Sequence, residues 1–201
     1  MENTKTAALF ERVPAGEVSE RRYERDETIF RQGDACGGLL LVRQGRVALQ
    51  RVTDAGHLIV IHRAGAGELF GEASLFSEFY HCTAVAGEVT VLSEVNRSWL
   101  RRALDAQPGF SSLLCETLAN QIQNSRKLVE VLSVRNAEER VFLAAANGML
   151  RSDLKGFAAH IGLSHEAVYR ALSSLARQGR LHKVSQGKYS LAADKPGKVE
   201  P

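Results

Sequence analysis

A nine-residue segment near the carboxyl end carries side chains that could bind nucleobases: Gly162-Leu-Ser-His-Glu-Ala-Val-Tyr-Arg. A glutamate can accept a hydrogen bond from the amino group of cytosine, and an arginine can donate two hydrogen bonds to O6 and N7 of guanine. Glu166 and Arg170 are four residues apart, so on a helix they share one face. The segment therefore predicts contact with base edges in DNA, and the alternative is an ordinary ion pair along a helix.

The residues around this segment predict a helix-turn-helix. Leu154, Phe157 and Ile161 form one apolar stripe, and Gly162 permits the turn that redirects the chain. Ser164 can cap the second helix through its hydroxyl group. The alternative is a helical hairpin that packs in a core without binding DNA.

A short basic hairpin is predicted over residues 181–191, with its turn at 185–188, and it makes the motif a winged helix-turn-helix. We expect the second helix to enter a major groove. Ser164, Lys183 and Lys188 are expected to contact phosphates, and such contacts orient a protein without specifying sequence. The predicted DNA-binding residues are Ser164, His165, Glu166, Tyr169, Arg170, Lys183 and Lys188.

Charge and composition are consistent with this interpretation. Residues 137–201 contain ten Lys and Arg against six Asp and Glu, whereas residues 1–136 contain 16 against 17. A basic second part suggests a polyanionic partner.

The apolar fraction of 44% is ordinary for a globular chain, and no uncharged apolar run has the length of a membrane span. With no secretory signal and an odd number of cysteines, three, we expect free thiols in the cytoplasm and no membrane partner.

The first part of the chain has the pattern of a β domain. Short apolar runs between about residues 24 and 95 alternate with Gly33, Gly45, Gly56 and Gly67, which recur every 11 or 12 residues. This rhythm is typical of a sandwich or barrel. The fold class predicted for the whole chain is α+β, with an antiparallel β-roll or jelly-roll sensor domain at the amino end.

A long helix is predicted to follow this β domain. After a short helix over 98–104, no Gly or Pro interrupts residues 110–134, and a heptad seam with a polar middle favours pairing with a second copy. The alternative is a helix packed on its own domain. The predicted domains are 1–108, 109–136 and 137–201, the last beginning with a helix in residues 137–150 that stops near Asn147 and Gly148. The seam consists of Leu114, Leu118, Gln121, Ser125, Leu128 and Leu132.

Three stretches together resemble the cyclic-AMP receptor / fumarate-nitrate regulator (Crp/Fnr) family of bacterial transcription factors. Residues 27–34 are similar to the family's opening strand and turn, residues 67–76 to its phosphate-binding cassette, and residues 162–170 to its recognition helix. The resemblance covers about residues 20–191. It implies a homodimer that binds a palindromic operator and has RNA polymerase as a partner.

The resemblance also places an effector site in the β domain. Glu72 matches the family's ribose-binding glutamate, but Cys82 stands where cyclic-nucleotide-binding members have arginine, and Thr83 where they have serine. A thiol lacks the charge-assisted fork that binds a phosphate, so we expect that cyclic AMP is not the effector. Arg126 on the long helix could replace the missing charge. The candidate effector-binding residues are Gly71, Glu72, Ala73, Cys82, Thr83, Ser125 and Arg126.

The resemblance raises metal and redox alternatives as well. No cysteine precedes Cys36, which argues against the iron–sulfur cluster of the oxygen-sensing branch. Haem-binding relatives use Cys or His ligands, so a haem or another metal at His81 and Cys82 is an alternative, and Cys36 or His62 could complete such a site. Adjacent residues on a strand point to opposite faces, which weighs against this pair.

The sequence therefore predicts a DNA-binding transcription regulator controlled by an unidentified effector or by a redox or metal signal, and not an enzyme. A cupin-like enzyme would need clustered metal ligands, and the only close pair, His57 and His62, has the wrong spacing. A cyclic-nucleotide-binding module without DNA binding is a further alternative, but it would have no need of residues 152–191.

Overall fold

The computed structural model describes residues 2–150, 153–185 and 188–192. The chain divides into two compact units, Met1–Asn120 and Gln121–Pro201. This division falls inside the long helix α3 (Pro108–Ser133). The domain boundaries expected at 108 and 136 lie on either side of it and stay a prediction.

The first unit is built on two antiparallel sheets, each with four strands in the described residues. The strand order is β1-β8-β3-β6 in one sheet and β2-β7-β4-β5 in the other. Apolar residues of both sheets, such as Val42 and Leu92 from the first and Val47 and Ala84 from the second, share one buried cluster. The predicted antiparallel β domain is confirmed. The strands are β1 (Val18–Tyr23), β2 (Thr28–Phe30), β3 (Gly38–Gln44), β4 (Arg46–Val52), β5 (Leu58–Gly65), β6 (Leu69–Phe70), β7 (Thr83–Ala86) and β8 (Thr90–Asn96).

Three helices cover one of these sheets. They are α1 (Glu2–Glu11), α2 (Arg97–Ala106) and the first half of α3. Leu9 of α1, Trp99 of α2 and Phe110 of α3 belong to one buried cluster with leucines of β3. The Trp99 and Phe110 rings meet edge to face, with their centroids 5.4 Å apart.

The glycine rhythm has a conformational cause. Gly33, Gly45, Gly56 and Gly67 all have φ between 80° and 88°, in the left-handed region. Residues with a Cβ rarely adopt this conformation, so glycine is the residue that closes these turns at little cost. The interpretation of these glycines as turn residues between strands is confirmed.

The second unit continues from the end of α3 into a helix-turn-helix with a following hairpin. Helix α6 is amphipathic: Val168, Leu172 and Leu175 on one face are fully buried, together with Val131 of α3 and Ile161 of the turn. The elements are α4 (Ala137–Ala146), α5 (Leu154–His160), α6 (His165–Arg177), β9 (Leu181–Ser185) and β10 (Lys188–Leu191). The middle of the predicted hairpin turn, Gln186 and Gly187, lies outside the described residues.

The helix boundaries agree with the sequence prediction in part. Helix α3 begins at Pro108, because proline is well tolerated in the first turn of a helix. The predicted stop of α4 near Asn147 and Gly148 agrees with the structure, in which the helix ends at Ala146 and Gly148 has φ 72°. Helix α1 was not predicted. In the described part of the chain, no helix is both long and apolar enough to cross a bilayer.

The predicted seam on α3 has two environments. In the first half, Leu114 is buried in the core of its own unit. In the second half, Leu132 of the seam is 43% exposed, and Ile122 and Val129, which lie outside the predicted seam on the same helix, are 53% and 64% exposed. The first half thus follows the alternative of packing on its own domain, and the second half leaves an apolar surface uncovered.

Glycine at position 71 combines a left-handed backbone with crowding. Its φ is 85°, and a Cβ there would lie 3.0 Å from Leu40 Cδ1 and 3.2 Å from the Gly38 carbonyl oxygen. Gly56 has φ 80° and no atom within 4 Å of such a Cβ. An alanine at either position has an unfavourable backbone conformation, but only the one at position 71 is also crowded by its neighbours.

We predict that Gly71→Ala lowers the free energy of unfolding by about 1–3 kcal/mol. Gly56→Ala, the matched control, should lose less because its added methyl group contacts nothing. Urea denaturation of the full chain measures both. Equal losses in the two variants would show that crowding at position 71 contributes nothing.

Candidate DNA interface and effector site

The outward face of α6 carries the predicted base-contacting residues. His165, Glu166, Tyr169 and Arg170 are all exposed, while the opposite face of the helix is buried. The rings of His165 and Tyr169 lie 6.2 Å apart between centroids, at an angle of 49°. The helix thus presents two aromatic rings, a carboxylate and a guanidinium on one exposed surface.

Local hydrogen bonds fix where α6 begins. Ser164 Oγ accepts from the Ala167 backbone N–H at 3.1 Å, which confirms the predicted cap. Gly162 has φ 65° in the turn, and Leu163 N–H donates to the Ala158 carbonyl at 2.9 Å. The cap uses the Ser164 oxygen as an acceptor, so its hydroxyl hydrogen can still be donated to a phosphate.

Arg140 of α4 holds the turn in place. Its Nε donates to the Val134 carbonyl at 2.7 Å, and its Nη1 donates to the carbonyls of Ile161 and Gly162 at 3.3 and 3.4 Å. One guanidinium therefore joins the end of α3, helix α4 and the turn before α6. Sequence analysis missed this residue, because a single arginine in a helix gives no signal of distant carbonyl partners.

A second set of contacts joins the end of α6 to α4. Gln178 Nε2 donates to Glu138 Oε1 at 2.7 Å. Arg180 forms a two-pronged ion pair with Glu139, and its guanidinium carbon lies 3.8 Å from the centre of the Phe142 ring. The hydrogen bonds from Ser174 and Gln178 hold the pKa of Glu138 below its usual range. These contacts limit the rotation of α6 on α4.

An open cleft of about 520 Å³ lies beside the exposed face of α6. Its lining includes Tyr169, Arg170, Ser173 and Arg177 from α6 and Asn136 from the start of α4. Arg177 and Ser173 were not among the predicted site residues. They could have been found by extending the exposed positions of α6 by two further turns at helical spacing.

The predicted wing lysines belong to the two-stranded hairpin. Lys183 on β9 pairs with Tyr189 on β10, and Lys188 pairs with Ser185. Both lysines are exposed. They therefore offer positive charge on a surface of the same unit as α6.

The candidate effector residues of the first unit cluster in one loop. Gly71 begins a single 3-10 turn over Glu72–Ser74. The Ser74 hydroxyl accepts from the His81 backbone N–H at 3.3 Å, and the Ser77 hydroxyl lies 2.8 Å from His81 Nε2. These contacts close residues 71–82 into a compact loop that ends at β7.

Glu72 is an unusual carboxylate. Its Oε2 atom is buried and has no hydrogen-bond partner among the residues that the structure describes. Burial raises the pKa of Glu72 above its usual value, against smaller lowering effects of its own backbone N–H and of His62. A buried acceptor without a donor is costly, so this oxygen suits a ligand that donates a hydrogen bond.

Cys82 faces the interior, and Thr83 begins β7. Cys82 is 9% exposed and belongs to the core cluster between the sheets. Thr83 Oγ1 accepts from the Gln32 backbone N–H at 3.1 Å. Ala73 is exposed on the loop surface. The thiol at position 82 brings no positive charge to the place where the family resemblance expects one.

The remaining candidates lie elsewhere or lack partners for metal binding. Ser125 and Arg126 are exposed on the part of α3 that belongs to the second unit.

His81 and Cys82 precede β7, so the expectation that they lie on a strand was wrong. Within the described ranges, no group of three or more His, Cys, Asp or Glu residues could hold a metal ion. A haem or metal at His81 and Cys82 stays an untested alternative.

Comparisons with known proteins fit this two-part architecture. The cyclic nucleotide-binding domain family matches residues 20–107. The cyclic AMP receptor protein of Thermus thermophilus is 33% identical over 168 residues, covering 79% of this chain and 77% of that protein. The transcriptional activator protein FnrA of Stutzerimonas stutzeri is 27% identical over 175 residues, covering 80% and 72%. The structure of FixK2 from Bradyrhizobium japonicum has a similar fold, with a TM-score of 0.66 at 23% identity over 87% of this chain and 92% of that one.

A β domain of the cyclic-nucleotide-binding type followed by a helix-turn-helix defines a DNA-binding transcription regulator. The chain belongs to the Crp/Fnr family, whose named members among its relatives are transcription regulators rather than enzymes. The predicted family, fold class and general function are confirmed.

The buried carboxylate gives a pH-dependent prediction. Because the pKa of Glu72 is raised on folding, the folded chain binds this proton more tightly than the unfolded chain. Its contribution to stability is therefore present below its usual pKa of 4.5 and is lost as pH rises through the folded pKa. We predict that Glu72→Gln stabilises the chain relative to wild type by an amount that grows as pH rises above about 4.5 and levels off above the folded pKa.

Urea denaturation at a series of pH values measures this difference. Glu20→Gln, which neutralises an exposed carboxylate on β1, is the control and should show no such trend. A wild-type and Glu72→Gln difference that is constant over the whole range would contradict the assignment of a burial cost to this carboxylate.

Proposed function

We propose that the chain acts in the cytoplasm as a homodimer that binds a palindromic operator, with one α6 in each of two successive major grooves. A small effector, or a redox or metal signal, in the β domain controls binding, and RNA polymerase is the partner at the promoter. The observation that carries the proposal is the exposed row of His165, Glu166, Tyr169 and Arg170 on a helix whose other face is fully buried.

The polar part of this surface supports specific binding to bases. Arg170 has the geometry to donate to both guanine acceptors, and Glu166 can accept from cytosine. His165 stands where the family pattern that this chain resembles often has arginine. We therefore propose that the G·C step bound by Glu166 and Arg170 is kept, while the base facing His165 differs.

The residues around the edge of this surface support contacts with the DNA backbone. Lys183 and Lys188 on the hairpin, and the Ser164 hydroxyl at the start of α6, are donors on exposed positions. Arg177 and Ser173 line the cleft on another part of α6. Contacts of this kind would supply most of the salt-dependent affinity.

The second half of α3 supports the homodimer. Ile122, Val129 and Leu132 form an exposed apolar stripe next to the polar Ser125. A second copy of the same helix is the simplest cover, since a heptad seam matches itself across a two-fold axis. Two copies would set the separation of the recognition helices at about one turn of DNA.

We predict different losses for two substitutions at the DNA surface. Arg170→Ala should cost about 1–3 kcal/mol on an operator selected from a random duplex pool, and the base preference at one position should relax. Lys188→Ala should weaken operator and scrambled duplex by the same factor and reduce the salt slope by about 1.

Fluorescence anisotropy over a series of salt concentrations measures both variants, with the exposed Arg22→Ala on β1 as the charge control. If Arg170→Ala loses equal affinity for operator and scrambled DNA, Arg170 binds phosphate rather than a base. If the wild-type chain selects no duplex from the pool, the proposed function fails.

We predict that cyclic AMP does not bind the wild-type chain with micromolar affinity. The Cys82 thiol supplies no charge to the phosphate, and a charge-assisted pair is about twice as strong as a neutral hydrogen bond. Isothermal titration of the full chain measures this. Cys82→Arg, with its folding verified by thermal melting because position 82 is buried, adds the guanidinium and should bind cyclic AMP about tenfold more tightly or better. Micromolar binding by the wild-type chain would overturn the prediction.

A further inference from the structure

Arg51, near the end of β4, lies where the family resemblance expects the cation at position 82. Gln50 pairs with Thr83 across β4 and β7, so the next residue of β4 lies beside the peptide that precedes Thr83. Arg51 Nη2 donates to the His81 carbonyl at 3.0 Å. The guanidinium therefore lies against the peptide bond that joins His81 to Cys82.

Two charged side chains, Arg51 and Glu72, act on the thiol of Cys82 beside this peptide. Burial raises the pKa of the Cys82 thiol, the positive charge of Arg51 lowers it, and the negative charge of Glu72 raises it. Arg51 and Glu72 are thus both within electrostatic range of the same thiol. The hydrogen bonds connect the two groups as well, because Arg51 donates to the His81 carbonyl and the His81 N–H donates to Ser74 of the turn that contains Glu72.

Both charged groups have unused hydrogen-bonding capacity. A guanidinium has five N–H donors, and the contact with the His81 carbonyl uses one of them. Glu72 Oε2 is buried and, in the described residues, accepts no hydrogen bond. A ligand that reaches both groups must carry acceptors with negative charge at one end and a hydrogen-bond donor at the other.

We propose that Arg51 supplies the anion-binding charge of the β-domain site, and that the effector is a small organic anion with a hydroxyl or amino group that donates to Glu72. The proposal rests on the proposed function, because it takes the effector site to be in the β domain. The anionic group lies against Arg51 at the rim, and the donor lies at the buried Glu72. An exposed arginine offers weaker binding than a buried one, which agrees with the expected loss of cyclic AMP affinity.

Three probes separate the two halves of this chemistry. Glycerol 3-phosphate carries both an anion and hydroxyl groups, inorganic phosphate carries only the anion, and glycerol carries only the hydroxyl groups. Isothermal titration of the full-length chain should give an affinity for glycerol 3-phosphate about tenfold or more above that for either fragment.

Three substitutions assign the contacts. Arg51→Gln should lower the affinity for glycerol 3-phosphate about tenfold and leave glycerol binding unchanged, whereas Arg51→Lys should keep part of the affinity because the charge remains. Glu72→Gln should lower it about fivefold, since a neutral amide oxygen is a weaker acceptor. Arg22→Gln, an exposed arginine on the other sheet, is the matched control, and thermal melting of each variant verifies that it is folded.

Two results would overturn the proposal. One is an affinity of Arg51→Gln for glycerol 3-phosphate within about twofold of wild type. The other is no binding of glycerol 3-phosphate below about 10 mM by a wild-type chain that still binds its operator. Loss of operator binding as well would count against the proposed function instead.

Discussion

The contacts of a single guanidinium set the geometry of the second unit. Arg140 donates to carbonyls of Val134, Ile161 and Gly162, which lie just after α3 and in the turn before α6. Without this side chain, partly buried carbonyls would lose their donor, at a cost of about 1–3 kcal/mol for each fully unsatisfied group. Val131, on the last full turn of α3, is completely buried in the same core. The end of α3 and the turn before α6 are therefore held to α4 by both packing and hydrogen bonds, so a displacement of one strains the others.

The β domain contains a buried polar group that lowers stability, in contrast to the satisfied hydrogen bonds of Arg140. Glu72 has a buried oxygen to which no residue in the described part of the chain donates, and burial raises the pKa of its carboxyl group. A neutral side chain at position 72 would give the folded chain a higher free energy of unfolding at neutral pH. A Cβ at Gly71, which begins the same turn, would be crowded by Leu40 and the Gly38 carbonyl. A glycine with a left-handed backbone next to a buried carboxylate oxygen that no described residue satisfies suits a binding loop better than a purely structural turn.

The elements that repeat at short range could be predicted from the sequence. The glycine spacing predicted the turns, since each of those glycines has a positive φ, and the apolar stripe of Leu154, Phe157 and Ile161 predicted residues that are buried. The cap at Ser164 followed from local chemistry. Helix α1 was missed because its polar first half has no clear periodicity, although Leu9 and Phe10 at its end are buried. The partners of Arg140 and Arg51 were missed because pairing over long sequence distances leaves no trace in spacing.

The two departures from the family pattern have different physical consequences because one is exposed and the other buried. His165 stands on the exposed face of α6, so a different side chain there carries little packing cost to the fold. Cys82 belongs to the core between the sheets, at a position where the family pattern that the chain resembles has a long charged side chain. The cysteine therefore differs from that pattern in both packing and charge. A substitution on the exposed face of α6 therefore changes one side chain without repacking, whereas the proposed effector site requires a cation from a neighbouring strand if it is to bind an anion.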